Sequence, residues 1–311
     1  MSTPRDEVEP TPRLVELSGG IYAYVQPDGG WYVNNAGLIV GSRGAVSIDT
    51  CATERRTRAY QHAIATVTDQ PVRTVVNTHH HGDHTYGNYL FRQATIIAHE
   101  RCRDAALELG LPGDHPSWTT EVEWGDLELE PPFLGYRDGV TLRLDDLRCE
   151  VRYVGTPAHT TNDSIVWIPD REVLFAGDLI FHGGTPFLLQ GSLSGATRVL
   201  DEVLKPLGAR VIVPGHGEVC GPEAIDETLA YLRFLRRTAE EGRRARLTPL
   251  AAARQADLGP FAALREPERL AANLHRAYAE LDGAEPGAPI DLPAAILDMV
   301  TYHGGLLPSR A

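Results

Sequence analysis

Seven consecutive residues constrain this chain more than any others: Thr78-His79-His80-His81-Gly82-Asp83-His84. They place four potential metal ligands, His79, His81, Asp83 and His84, within six positions. The run Val72-Arg73-Thr74-Val75-Val76-Asn77 comes directly before them and is rich in β-branched residues, the pattern of a buried strand. Gly82 permits the tight backbone that lets neighbouring side chains converge. His79 and His81 can point one way, and Asp83 and His84 another. A dense His/Asp loop at a strand end is a good seat for two adjacent metals.

Three later segments repeat the theme of a ligand type after a strand. His159 lies in Gly155-Thr156-Pro157-Ala158-His159-Thr160, after the strand pattern Arg148–Val154. Asp178 ends the apolar run Val173-Leu174-Phe175-Ala176-Gly177-Asp178. His216 sits between glycines after Val211-Ile212-Val213-Pro214. Each alone is matched by an ordinary loop histidine or a turn-capping aspartate. In order, and all at strand ends, the set is specific.

This constellation, His79-x-His81-x-Asp83-His84 followed by His159, Asp178 and His216, resembles the metal signature of the metallo-β-lactamase superfamily. The resemblance implies an α/β fold, an αββα sandwich. It implies that His79, His81 and His159 hold one metal, that Asp83, His84 and His216 hold another, and that Asp178 bridges them. Asp83 and Asp178 are the candidate catalytic carboxylates. Imidazole and carboxylate donors without thiolate suit two Zn2+ ions, with iron and manganese as alternatives. Asp49, ending the strand pattern Ala45–Ile48, either orients a ligand histidine from behind or caps a turn. His62, His99, His115 and His275 lack a strand-end context and read as structural or solvated.

Other segments resemble the second-ring cyclases of aromatic polyketide pathways, of the actinorhodin type. They are 29–37, 184–187, 247–250, 273–278 and 302–305. His80 stands where an aromatic residue is common in that group, and His303 where Asn is usual. His303 is thus either an added acid/base group or a surface histidine. This resemblance implies an intramolecular aldol closure and dehydration of a poly-β-ketone, free or bound to an acyl carrier protein. Trp31, Tyr32, Phe181, Phe187 and Tyr302 are candidates for pocket walls around flat rings. The metal ligands alone do not choose between ring closure and hydrolysis of a thioester, ester or lactone. A non-catalytic binding protein is disfavoured by the intact ligand set.

Net charge is −13 over 311 residues. That argues against a nucleic-acid binder, which needs excess positive charge to replace counterions. The arginines at 233, 236, 237, 243 and 244 read as the solvated face of a helix. Cys51, Cys102, Cys149 and Cys220 are scattered, without knuckle or framework spacing. No segment approaches the length of a membrane span, and the polar start lacks the apolar run of a secretory signal. A reduced cytoplasmic setting is expected.

Residues 1–12 read as a disordered tail, 13–221 as the catalytic domain, and 222–311 as a helical extension packed on the same core. Trp31–Asn35 and Ala36–Val40 read as a strand pair. Residues 54–67, 99–109 and 195–204 read as helices, and 111–140 as an irregular excursion.

Overall fold

A computed structural model of the chain describes residues 11–114 and 117–311. The expected tail and His115 therefore fall wholly or largely outside the described residues. The first sheet has seven strands in chain order: β1 (Arg13–Ser18), β2 (Ile21–Val25), β3 (Ala36–Gly41), β4 (Gly44–Ile48), β5 (Val72–Val76), β6 (Thr95–His99) and β7 (Leu134–Tyr136). Strands β1 to β4 pair antiparallel, and β4 to β7 parallel. Parallel neighbours need a crossover. Helix α1 (Glu54–Ala65) supplies the one between β4 and β5, started by Thr53, whose side chain accepts from Arg56 N–H. The single turn α2 (Gly82–Thr85) follows β5, and α3 (Glu100–Leu109) follows β6.

The second sheet holds five strands: β8 (Gly139–Leu144), β9 (Leu147–Tyr153), β10 (Ser164–Ile168), β11 (Val173–Phe181) and β12 (Val211–His216). Only β11 and β12 pair parallel, joined through α4 (Leu193–Arg198) and a wider helical turn at Val199–Leu204. Four helices close the chain: α5 (Glu223–Arg244), α6 (Pro249–Gln255), α7 (Arg269–Leu281) and α8 (Leu292–His303).

The alternation of each strand decides the layers. Ile21, Ile39, Ile48 and Val76 of the first sheet meet Val151, Val166, Phe175 and Val213 of the second in a shared core. The outer face of the first sheet packs on Tyr60 and Ile64 of α1. The outer face of the second packs on α4, α5 and α7 through Leu174, Leu232, Leu235 and Leu274. This is the expected αββα sandwich with C-terminal helices. Among the described residues no helix is long and apolar enough to cross a membrane. The four cysteines are free thiols, three of them buried.

Three local expectations are corrected. Trp31–Asn35 is a loop, because Tyr32 adopts φ 63° and the Asn34 and Asn35 side chains bond to main-chain carbonyls, breaking a strand ladder. Strand β11 runs through Asp178 to Phe181 rather than ending there. The excursion contributes β7 to the sheet edge.

Tyr60, fully buried, donates its hydroxyl hydrogen bond to the Gly37 carbonyl and lies 3.1 Å from Ser47 Oγ. Tyr60→Phe is expected to lower stability by about 1–3 kcal/mol, the cost of leaving buried partners unmet. Urea denaturation checks this, with the slope unchanged.

Candidate metal centre

Strands β4, β5, β11 and β12 bring their C-terminal ends to one rim, and β9 joins them because β10 runs antiparallel to both its neighbours. Asp49 follows β4, the His loop follows β5, His159 follows β9, Asp178 lies late in β11 and His216 ends β12. All seven expected ligands are thereby drawn together. They form two groups, one of His79, His81, His159 and Asp178 and one of Asp83, His84 and His216, with the candidate donor atoms of each within 4.8 Å of one another.

In the first group His81 Nδ1 lies 3.1 Å from His79 Nε2 and 2.9 Å from His159 Nε2. In the second, His216 Nε2 lies 3.2 Å from Asp83 Oδ2, and His84 Nε2 lies 3.8 Å from it. Asp178 stands between them. Its Oδ1 is 3.1 Å from His84 Nε2, and its Oδ2 is 3.3 Å from His159 Nε2, 3.5 Å from His216 Nε2 and 3.8 Å from His79 Nε2.

The outer ring nitrogens decide what faces inward. His159 Nδ1 donates to the Phe187 carbonyl (2.6 Å), His216 Nδ1 to the Gly29 carbonyl (3.1 Å) and His84 Nδ1 to Asp49 Oδ2 (2.8 Å). His81 Nε2 donates to Gln190 Oε1 at 2.5 Å. Thr78 Oγ1 gives its own proton to Asp49 and is left as the acceptor for His79 Nδ1 at 3.1 Å. With every outer nitrogen anchored, five inner ring nitrogens and two carboxylates converge. His84 Nε2 and Asp178 Oδ1 are buried and make no hydrogen bond. Buried acceptors facing one another are unfavourable unless a cation sits among them. The donor set therefore fits divalent metal ions.

The electrostatics separate the two groups. Burial pushes His79 and His81 below the usual range and His159 down to about 3. These are neutral imidazoles, ready to ligate. Burial also opposes charge on His84 and His216, but facing carboxylates outweigh it. His84 is held well above its usual value and His216 is raised to about 9. Asp83 falls to about 2, burial being outweighed by His84 and His216. Metal entry into the second group must release protons.

Asp49, which sequence reasoning left between backing a ligand histidine and capping a turn, takes the first role. It accepts from Thr78 N–H and Oγ1 at 2.7 Å each while receiving His84 Nδ1. Its φ of 59° is a conformation that Asn tolerates. Asp49→Asn is expected to cost roughly 10–100-fold in metal affinity at the second group, the usual cost of losing an orienting partner. Competition with a chromophoric chelator measures it.

The expected pocket residues divide. Trp31, Phe187 and Tyr32 share one cluster with Trp118. Phe181 stacks on His216, ring centroids 5.1 Å apart and 9° from parallel. Tyr302 packs instead into the core of the helical extension, and His303, 3.9 Å from Glu268, lies on its edge. His80 is buried and receives Asn162 Nδ2. His99 caps α3 and His275 pairs with Asp298, both structural as expected. Sequence reasoning missed Gln190, Trp118 and Trp124, the last edge-on to Tyr32. A glutamine in a turn, directly before Gly191, carries no local signal. The two tryptophans lay inside the excursion.

Comparison with known proteins follows this geometry. The model of the metallo-beta-lactamase superfamily matches residues 29–216. The chain is 28% identical over 227 residues to the metallo-beta-lactamase type 2 of Bacteroides fragilis, covering 69% of this chain and 83% of that protein. It is 25% identical over 215 residues to the acyl-coenzyme A thioesterase MBLAC2 of Bos taurus, covering 61% and 75%. Among solved structures, a metallo-beta-lactamase from Pontibacter korlensis superposes with a TM-score of 0.60 at 19% identity, over 72% of this chain and 99% of that one.

Proposed function

The chain belongs to the metallo-beta-lactamase superfamily as a metal-dependent enzyme, and from that premise we propose that it holds two zinc ions and hydrolyses an activated acyl carbonyl: a thioester, ester or lactone. The observation that carries this reading is the inward convergence of five histidine ring nitrogens with Asp83 and Asp178, with every outer nitrogen anchored. When bound, a pair of such ions supplies Lewis acidity and brings the pKa of water toward neutrality. His79, His81 and His159 would hold the first ion, Asp83, His84 and His216 the second, and Asp178 would serve both groups.

The chain's own residues do the rest. Asp178 holds the two groups in register, because its two oxygens face different histidines. Asp83, whose side chain is the more exposed of the two carboxylates, would accept a hydrogen bond from the reacting water and orient it. Tyr32 and Trp118, with Trp124 beside them, give the acyl group an apolar wall. Similarity to a named thioesterase supports the thioester among the candidates. The substrate is a small molecule rather than nucleic acid, and four free thiols suit a reduced cytoplasmic setting.

A second reading is aldol ring closure and dehydration on an aromatic polyketide intermediate, free or carrier-bound. One observation favours it. Segments 29–37, 184–187 and 273–278, which suggest this reading in the sequence, meet behind the ligands: Gly29 and Phe187 accept from ligand histidines, and Asn273 donates to the Pro186 carbonyl. Holding both reacting carbons of one substrate is worth roughly 7–11 kcal/mol at the upper end.

The test is a panel of acyl thioesters, lactones and an unclosed bicyclic polyketide intermediate, followed by mass spectrometry. Hydrolysis of thioesters or lactones supports the first reading. Accelerated ring closure without such hydrolysis replaces it by the second. Turnover of none by zinc-loaded protein removes both.

A further inference from the structure

Helix α7 lies outside the segment matched by the family model, and beside the apolar residues it gives to the core it buries a polar strip. Arg269, Asn273, Arg276 and Glu280 follow one another at intervals of four, three and four, so they line one side of the helix. The first three are at most 1% exposed. All four reach the same stretch, residues 185–194.

Arg269 Nη1 donates to the Thr185 carbonyl at 2.8 Å. Asn273 donates to the Pro186 carbonyl (2.7 Å) and accepts from Leu188 N–H (2.9 Å). Arg276 Nη2 donates to the Leu189 carbonyl at 2.9 Å. Glu280 accepts from Leu193 and Ser194 N–H at 2.7 and 3.0 Å, at the start of α4. Residues 185–191 form no helix or strand, so their main-chain groups need such partners.

That same loop supplies the outer acceptors of two metal-group histidines, the Phe187 carbonyl for His159 and Gln190 Oε1 for His81. It is pressed onto the His159 loop: Ser192 N–H donates to the Ala158 carbonyl at 2.8 Å, and a Cβ on Gly191 would stand 1.9 Å from that oxygen. Arg269 also backs the second group through Phe181. Its guanidinium lies 4.1 Å from the Trp31 ring centroid and 4.6 Å from that of Phe181, which stacks on His216.

We propose that α7 is the positioning element of the metal centre: Arg269, Asn273 and Arg276 clamp loop 185–190, and through Phe187 and Gln190 the clamp fixes the ring orientations of His159 and His81. This rests on the two-metal reading above. An apolar face would pack a helix as firmly. A ladder of directional bonds to one loop fixes that loop's position, which is what an acceptor for a ligand histidine requires.

The test uses the full chain with Gln190→Ala, Arg276→Met, their double variant, Arg276→Lys and a packing control, Leu235→Ala in α5. Zinc affinity is read by chelator competition, ligand geometry by the absorption spectrum of cobalt-substituted protein, and stability by thermal unfolding. Gln190→Ala and Arg276→Met are each expected to weaken zinc binding roughly 10–100-fold and to alter the cobalt spectrum. The double variant should resemble the worse single one, since both act on the same loop. Arg276→Lys should restore part of the affinity. Leu235→Ala should lower the melting temperature without moving affinity or spectrum. If Arg276→Met does not fold, Gln190→Ala and Arg276→Lys carry the same comparison. Variants that bind zinc as tightly as the parent, or weaken only as Leu235→Ala does, overturn the inference while the metal reading stands. A parent chain that binds no zinc overturns both.

Discussion

Replacement of His79 or Asp178 by alanine is expected to reduce turnover to background with the fold retained. His79 supplies one of three neutral imidazoles of the first group, and nothing else among the described residues offers a donor in its place. Asp178 has the larger effect. It is the carboxylate within 4 Å of four ligand histidines, and its charge balances the raised protonation of His84 and His216. Without it, the two groups lose their shared donor and the buried histidines their counter-charge. Asp178→Ala should therefore lose metal from both groups, and His79→Ala mainly from the first. Elemental analysis beside turnover and near-UV circular dichroism checks this. Full activity in either variant contradicts the assignment.

Gly215→Ala is expected to be nearly as damaging, although residue 215 offers no metal ligand. A Cβ there would stand 1.8 Å from Asp178 Oδ1 and 2.8 Å from the Gly177 carbonyl carbon. The carboxylate is already held among the histidines, and the Gly177 carbon belongs to the main chain of β11, so neither contact yields easily. Overpacking of this kind costs about 1–3 kcal/mol, occasionally more. Here it also displaces the shared ligand. The variant should lose metal and melt well below the parent. Gly19→Ala, where no atom lies within 4 Å of the new Cβ, should leave both unchanged. Gly215→Ala with parental metal content and stability would show that Asp178 does not sit as described.

Much of the metal centre was legible because its ligands follow strands whose β-branched runs are read without tertiary knowledge. Val75-Val76 announces His79, Val213 announces His216, and the apolar Val173–Ala176 announces Asp178 even though the strand continues past it. The supporting residues were not legible for the opposite reason. Arg269, Asn273, Arg276 and Glu280 have the spacing of a helix face, and polar residues at that spacing are most simply a solvated face. Only the packing of α7 against loop 185–194 turns that face inward. Trp31–Asn35 was misread because its aromatic and β-branched residues carry strand propensity, while the left-handed backbone at Tyr32 leaves no mark in composition. Trp118 and Trp124 approach Tyr32 only through the path of the excursion.

The central claim is that two metal ions share one carboxylate in this chain. Its most direct test is elemental analysis of protein purified without added metal and again after titration with zinc and desalting. Two zinc equivalents per chain after titration, falling to at most one in Asp178→Ala, is the predicted result. A single equivalent that added zinc does not raise would contradict the second group, and none at all would contradict the centre itself.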